Sequence, residues 1–302
     1  MSIVGTLLSL LGLIGLSAVG VCLWQHRRYL KARREIVQDQ QPVLYPSQTF
    51  HAVVYLKGKP AQDVIDASRS LRSVLESSGS GRLVYAGQAG ALLVRSEQVE
   101  NDWDAVLLVQ YDSRRAFDAA QERTELQQAL AGFEKVYTHG FQRPALTNLM
   151  IPQALLMLRA TDLLRRTPSA FPFVPAGDAA FPTQQAMIEE VKGLEKLRHL
   201  SEDAVVVFNL IKPGNAAQRE ADRAYTQSMM SAMAERVHGP MHLGRAVTVG
   251  GDAKFSSVAV VYYPGIDHMQ KMIGSTFMSR VGQGKQQGDS LAVATVPFLS
   301  RL

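Results

Sequence analysis

Two nine-residue runs, Trp103-Asp-Ala-Val-Leu-Leu-Val-Gln-Tyr111 and Phe255-Ser-Ser-Val-Ala-Val-Val-Tyr-Tyr263, constrain the fold of this 302-residue chain more than any other feature. Each is apolar without interruption at its centre, from Val106 to Val109 and from Val258 to Val261. A strand with one face in water alternates polar and apolar residues, so a strand that is apolar on both faces must be covered twice. Helices can supply one cover. The simplest second cover for each strand is the sheet that holds the other.

A second pair, His51-Ala-Val-Val-Tyr-Leu56 and Asp203-Ala-Val-Val-Val-Phe208, aligns at the same offset of 152 residues and predicts an internal duplication. That offset sets His51 against Asp203, Tyr55 against Val207 and Gln110 against Tyr262. The first copy reads as a strand at 51–57 and a helix from Pro60 in which Val64, Ile65, Ser68, Leu71, Val74 and Leu75 share a face. Strand material at 82–94, broken at Gly87 to Gly90, and a strand at 104–111 follow, then a helix capped by Asp112 or Ser113 and a strand at 135–141. The second copy repeats the order: strands at 204–211, 241–249, 257–263 and 291–296, with helices at 217–237 and from Ile266.

The expected fold class is therefore α+β: two tandem ferredoxin-like βαββαβ repeats, 49–145 and 202–302, forming an intramolecular pseudo-dimeric barrel. Residues 146–201 read as a helical insert, with a leucine- and methionine-rich helix, a loop holding Phe171, Phe173 and Phe181, and a charged amphipathic helix. Such apolar helices pack across the repeats or lie on a bilayer surface.

Residues 3–24 carry no charged side chain, and as a helix they span the roughly 30 Å hydrocarbon core of a bilayer. Residues 1–25 are accordingly expected to be a transmembrane anchor, and 26–48 a basic juxtamembrane segment and linker. A cleaved secretory signal places its basic residues before the apolar run, and here they follow it. Trp24 sits where an interfacial aromatic belongs, and Arg27, Arg28, Lys31, Arg33 and Arg34 can reach the headgroups of membrane lipids. The basic flank predicts a single-pass protein of the cell inner membrane with its body in the cytoplasm.

The formal charge is +5, of which the segment from His26 to Glu35 holds a net +4, leaving about +1 elsewhere. A nearly neutral body has no phosphate-binding stripe, which argues against a nucleic-acid partner. The single cysteine, Cys22, lies in the apolar run and excludes an intramolecular disulfide and a cysteine-based metal site.

The run from Trp103 to Phe117 and its counterpart from Phe255 to Met269 resemble the dimeric α+β barrel superfamily, especially the small bacterial domains classed as domain of unknown function 1330. The likeness covers most of both repeats but neither the N-terminal segment nor the insert. It implies a cavity between each sheet and its helices. Members of the superfamily include cofactor-free monooxygenases, lactone isomerases, haem enzymes and proteins with no demonstrated activity, so the resemblance transfers no catalytic residue.

Polar residues on apolar strands are the remaining candidates. His51, Tyr55, Tyr111 and His139 are expected to converge in the first copy, and His242, Arg245, Tyr262 and Tyr263 in the second. A histidine beside a tyrosine can act as a base toward an acidic C–H or a phenol. Hydrogen-bonded core or rim groups are the alternative for each. His238 and His242 have helical ligand spacing, but Gly239-Pro240 breaks it and no metal is expected. Lys285 follows Gly284 without the rest of a phosphate-binding loop. No cofactor motif is present.

These features read as a membrane-tethered module that binds a small or amphipathic ligand, or a membrane protein partner, without conventional catalysis. A cofactor-independent monooxygenase- or isomerase-like enzyme for a lipophilic molecule is the alternative, and a structural subunit of a membrane complex is a third reading. The enzyme alternative requires a pocket in one repeat where at least two of the named side chains meet.

Overall fold

The computed structural model describes the chain apart from residues 1–2, 32–35, 37–43, 78, 80, 237 and 250–252 and the side chains of residues 3–11 and 14. The elements run α1 (Ile3–Lys31), β1 (Phe50–Lys57), α2 (Val64–Ser77), β2 (Arg82–Val94), β3 (Ala105–Tyr111), α3 (Arg114–Gln121), α4 (Thr124–Ala131) and β4 (Lys135–Gln142). There follow α5 (Thr147–Leu164), α6 (Pro182–Val191), β5 (Val205–Lys212), α7 (Ala216–Arg236), β6 (Gly239–Val247), β7 (Ser257–Tyr263), α8 (Ile266–Ile273), α9 (Thr276–Val281) and β8 (Asp289–Pro297).

The strands close into one barrel in the order β1-β3-β2-β8-β5-β7-β6-β4, and every pairing is antiparallel. The first four strands stand in the order 4-1-3-2, and the last four repeat that order as β8-β5-β7-β6. Two seams join the halves, β2 with β8 and β4 with β6. Closure leaves no sheet edge open, which is how the inward faces of both sheets come to cover one another.

Period-two alternation then sorts the residues. Val53, Tyr55, Val106, Leu108, Val206, Phe208, Val258, Val260, Leu291 and Val293 fill the barrel interior. Phe50, Ala52, Val54, Leu107 and Val109 face outward under α2, α3 and α4. Val205, Val207, Ala292 and Ala294 face outward beneath the helices of the second half.

The single offset of 152 residues does not survive for the first strand. Phe50 pairs with Tyr111 and Val205 pairs with Tyr263, so the tyrosines lie 152 positions apart but the first-strand residues lie 155 apart. His51 therefore corresponds to Val206 and not to Asp203, and Tyr55 corresponds to Leu210 and not to Val207. The three-residue slip matters because an odd shift exchanges the faces of a strand.

Other boundaries move for local reasons. The helix expected from Pro60 begins at Val64, because the Asp63 carboxylate accepts from the Ile65 backbone N–H at 2.8 Å and starts the helix there. The helix expected after Ser113 is divided into α3 and α4, with Ser113 Oγ accepting from Ala116 N at 3.1 Å. Strand β2 is continuous through Gly87 to Gly90, where a break was expected; it pairs with β3 over 82–88 and with β8 over 87–94. A register shift between Ala89 and Ala91 carries it along the seam.

Among the described residues no helix is long and apolar enough to cross a membrane. The expectation of a transmembrane helix over 1–25 therefore gains no support, and residues 1–11 and Ile14, on which it largely rests, have side chains outside that description. Arg33 and Arg34 of the proposed headgroup contacts also lie outside the described residues. Helix α1 continues past the apolar run, and Gln25, His26 and Tyr29 are buried. Tyr29 Oη donates to the carbonyl of Pro240, and Gln153 Nε2 donates to the carbonyl of Cys22 at 2.9 Å. Its C-terminal part is thus docked on α5 and β6, while Leu13, Leu16, Val19 and Trp24 remain exposed.

The segment between the halves packs on the second half. Ile151 and Leu155 of α5, and Val191 of α6, join the core under α7 and α8. Gln184 is fully buried and donates to the carbonyls of Ile273 and Ser275. Met150, Met157, Leu163 and Leu164 stay exposed on α5.

Candidate functional site

The helices of the two halves lie on corresponding sheet faces, yet they enclose different spaces. In the first half Phe50, Tyr111 and Phe117 form an aromatic cluster, with ring centroids 5.1 Å apart for Phe50 and Phe117 and 5.2 Å for Tyr111 and Phe117. The corresponding residues of the second half are Val205, Tyr263 and Met269, and Leu107 of β3 is matched by Ala259 of β7. Two rings and a leucine have been exchanged for smaller or more pliable side chains. Ala259 and Met269 of these line a cavity of about 640 Å³ between β5, β6 and β7 and helices α7, α8 and α9. That size lies within the range of small-molecule sites, about 300–1,000 Å³.

Seven of the chain's 11 methionines line it: Met187, Met229, Met230, Met233, Met269, Met272 and Met278. Unbranched thioethers conform to apolar guests of more than one shape. Thr226 and Arg245 belong to the lining and are exposed, so the cavity opens to solvent at that rim.

The polar groups of the lining are few. Asn209 is committed to the sheet, donating to the carbonyls of Ala259 at 3.1 Å and Val207 at 3.3 Å. Tyr225 and Tyr263 also line the cavity. Burial pushes both phenols above the usual tyrosine range, so both are neutral donors at any physiological pH. Lys285 lies in the turn after α9, and burial pulls its ammonium down to about 8, an effect that nearby Asp222 partly opposes. Burial in turn holds the Asp222 carboxyl above its ordinary value, against the opposing pull of Lys285 and a hydrogen bond from Gln287.

The expected quartets are not the groups that the fold assembles. His51, Tyr55 and His139 face the barrel interior, but Tyr111 faces outward beneath α3. His51 stacks on Phe141 at 5.1 Å and stands 5.4 Å from His242 of the other half. His242 Nδ1 accepts from Arg143 at 2.5 Å, and Arg143 also donates to Asn148 Oδ1. Tyr55 packs near Trp103 and Tyr137, and the Tyr137 hydroxyl lies 3.1 Å from His139 Nδ1. Tyr262 faces inward, its hydroxyl 3.4 Å from the carbonyl of Asp203. Of the eight, Arg245 and Tyr263 line the cavity, while His51 and His242 approach one another inside the barrel.

The barrel interior is thus polar in patches, and its histidines are buried. His51 is completely buried, and its pKa is driven well down by burial and by the Arg143 guanidinium, with nearby Gln110 opposing them in part. His139 is held at about 4 by burial. Both rings are neutral core groups.

His238 and His242 part company: His238 stands 4.8 Å from His268 outside the sheet, and His242 lies inside the barrel. Among the described residues no group of three or more His, Cys, Asp or Glu side chains is placed to hold a metal ion. The cavity offers tyrosine, methionine and lysine atoms to a guest and no histidine. Sequence reading missed Tyr225, Lys285 and the methionines. The density of methionine from 229 to 278 was the available signal.

No protein-family model matches the chain. No curated protein matches it. Among solved structures the chain is similar to a mutant chlorite dismutase from Candidatus Nitrospira defluvii, at 11% identity and a TM-score of 0.44, covering 86% of this chain and 96% of that one. It is also similar to a dye-decolorizing protein from V. cholerae, at 11% identity and a TM-score of 0.40, covering 84% and 95% respectively. Both scores lie below 0.5, so the barrel stands on its own strand register and neither likeness bears on chemistry.

Proposed function

We propose that this protein is a membrane-tethered receptor for a lipophilic small molecule, held in the cavity of the second half. The carrying observation is the space of about 640 Å³ in the second half, lined by seven methionines, where the equivalent strand and helix positions of the first half carry the bulkier Leu107 and Phe117. Its lining is predominantly apolar and pliable, the character of a site for an apolar guest. The two halves are read as a duplication in which the first kept bulkier side chains at the equivalent positions and the second became the receptor.

The tether rests on the uncharged run at 3–24 and the cations Arg27, Arg28 and Lys31 that follow it, with the body on the cytoplasmic side of the inner membrane. Exposed Leu13, Leu16, Val19 and Trp24 are consistent with a lipid-facing surface on α1. A cavity supplied from a bilayer favours guests that partition into it.

The test is chemical. The full chain is reconstituted in phosphatidylcholine nanodiscs after gentle extraction from its host membranes, and its small molecules are compared by mass spectrometry with those of empty discs. One lipophilic compound at fixed stoichiometry is expected, lost from Met229→Trp and reduced in Ala259→Leu, which restores the residue of the first half. Compound retained unchanged by folded forms of both variants rejects the reading. Alkaline carbonate extraction checks the tether: release of the full chain into the soluble fraction rejects it.

One observation favours a second reading. Tyr225, Tyr263 and Lys285 line the same cavity, and an amine near neutrality can take a proton from an acidic C–H or phenol. A cofactor-independent enzyme of the monooxygenase or isomerase type is the corresponding proposal, and conversion of the bound compound on incubation distinguishes it from a receptor.

A further inference from the structure

The cavity has a polar end as well as an apolar body, and the chain positions that end tightly. Gly284 is pressed on α7 so closely that a Cβ there would stand 3.2 Å from the Ala221 carbonyl and 3.3 Å from the Tyr225 Cβ. The following residue, Lys285, is thereby set over the face of α7 that carries Asp222 and Tyr225, three positions apart and so on one side of the helix. Gln287 Nε2 reaches Asp222 Oδ1 at 3.3 Å. Lys285 itself makes no ion pair and no side-chain hydrogen bond among the described residues, and neither do the hydroxyls of Tyr225 and Tyr263 find a partner there.

Three donors line one end of the cavity, and none of them is hydrogen-bonded to a side chain among the described residues. Asp222 offsets only part of the burial cost of the Lys285 ammonium, and a guest that supplies an anionic oxygen within hydrogen-bond reach removes more of it. Arg245 of the lining adds a second cation, and the lining contains no carboxylate, Asp222 standing beside Lys285 behind it, so the cavity carries a net positive charge. Neutral lipids would leave Lys285 unsatisfied.

We infer that the guest is an amphipathic carboxylate, its head group accepting from Lys285 Nζ and from the hydroxyls of Tyr225 and Tyr263, and its hydrocarbon lying among Met229, Met233 and Met272. The inference rests on the receptor reading of the same cavity and names its ligand class. Selectivity would come from charge at the head and pliability along the chain, so that chain length is read loosely and the head group strictly.

The experiment measures binding of isotopically labelled dodecanoate and dodecan-1-ol to the full chain in phosphatidylcholine nanodiscs, with empty discs as the blank. Dodecanoate is expected to bind at one per chain and about 10- to 100-fold more tightly than the alcohol. Lys285→Met, which keeps the length of the side chain, should abolish that preference, and Lys285→Arg should retain most of it. Tyr263→Phe, a change of one oxygen, should weaken dodecanoate about 3- to 10-fold and leave the alcohol unchanged. Equal binding of both probes, indifferent to Lys285→Met, overturns the carboxylate assignment and leaves the apolar receptor standing. Binding of neither probe above the blank overturns the carboxylate assignment too, and the compound census then decides the receptor separately.

Discussion

His26 Nδ1 of α1 donates to the backbone carbonyl of Asn148 in α5, 3.1 Å away. Asn148 lies four residues before Pro152, which stands inside α5 and has no N–H to give. The carbonyl that Pro152 leaves unserved is thus the one that α1 satisfies. A buried carbonyl without a donor costs about 1–3 kcal/mol, so the proline turns a helix surface into a docking point for the N-terminal helix.

The two residues should therefore be energetically coupled. His26→Ala is expected to destabilise the full chain by about 2 kcal/mol, and by about 1 kcal/mol less in a Pro152→Ala background, where the helix supplies its own donor. Denaturant unfolding of the four proteins completes the cycle. A coupling indistinguishable from zero would mean that the carbonyl finds another partner.

The same docking limits where the chain can be cut. A fragment beginning at Gln48 lacks Gln25, His26 and Tyr29 and uncovers Ile151 and Leu155, all of them buried in the intact protein. Loss of the Tyr29 ring and hydroxyl alone should cost about 3 kcal/mol. The fragment is expected to bind a hydrophobic dye and aggregate, whereas one beginning at Trp24 should stay monomeric. Analytical ultracentrifugation of the two separates the outcomes.

How much of this was legible beforehand follows from the kind of information each feature needs. The doubly covered strands were readable because Val106 to Val109 and Val258 to Val261 leave no polar face, and the barrel follows from covering them. The slip of the first strand was not readable. Ala-Val-Val in both copies aligns well at the wrong offset, since short apolar strings slide along one another without penalty, and only cross-strand register fixes the face. His242 escaped for a related reason: the register shift between Pro240 and His242 turns its ring into the barrel, beside a histidine of the other half. The cavity needed volumes, not patterns. Methionine density marked the place, but the exchange of Phe117 for Met269 is recognisable as a missing ring only once both occupy equivalent positions over equivalent strands.

At the β2–β8 seam, Tyr85 Oη lies 2.7 Å from Thr295 Oγ1, and Thr295 gives its one proton to the Val206 carbonyl at 2.8 Å. Tyr85 must therefore donate to Thr295. Gly87 permits the contact, because a Cβ there would stand 2.8 Å from Thr295 Oγ1 and collide with the tyrosine hydroxyl. Tyr85→Phe should cost about 1 kcal/mol, since Thr295 keeps its own donor bond, and Thr295→Val about 2–3 kcal/mol, since a fully buried phenol is left unsatisfied. Equal losses in urea titrations would contradict the assigned direction.

Acid should loosen the barrel from inside. Burial holds His139 at about 4, against an ordinary value of 6.5, and drives His51 well below that value, with Arg143 adding to the effect. The unfolded chain therefore takes up protons at these positions that the folded chain refuses, and stability falls as pH drops from about 6.5 toward about 4. For His139 the full loss is about 3 kcal/mol. His139→Phe is isolated from that penalty and can stack near Tyr137, where the histidine ring lies 6.1 Å from the tyrosine. Urea midpoints measured from pH 7 to pH 4.5 should fall less steeply for the variant than for the parent chain, the difference approaching one proton. Parallel slopes would show that His139 titrates normally and that water reaches the barrel interior.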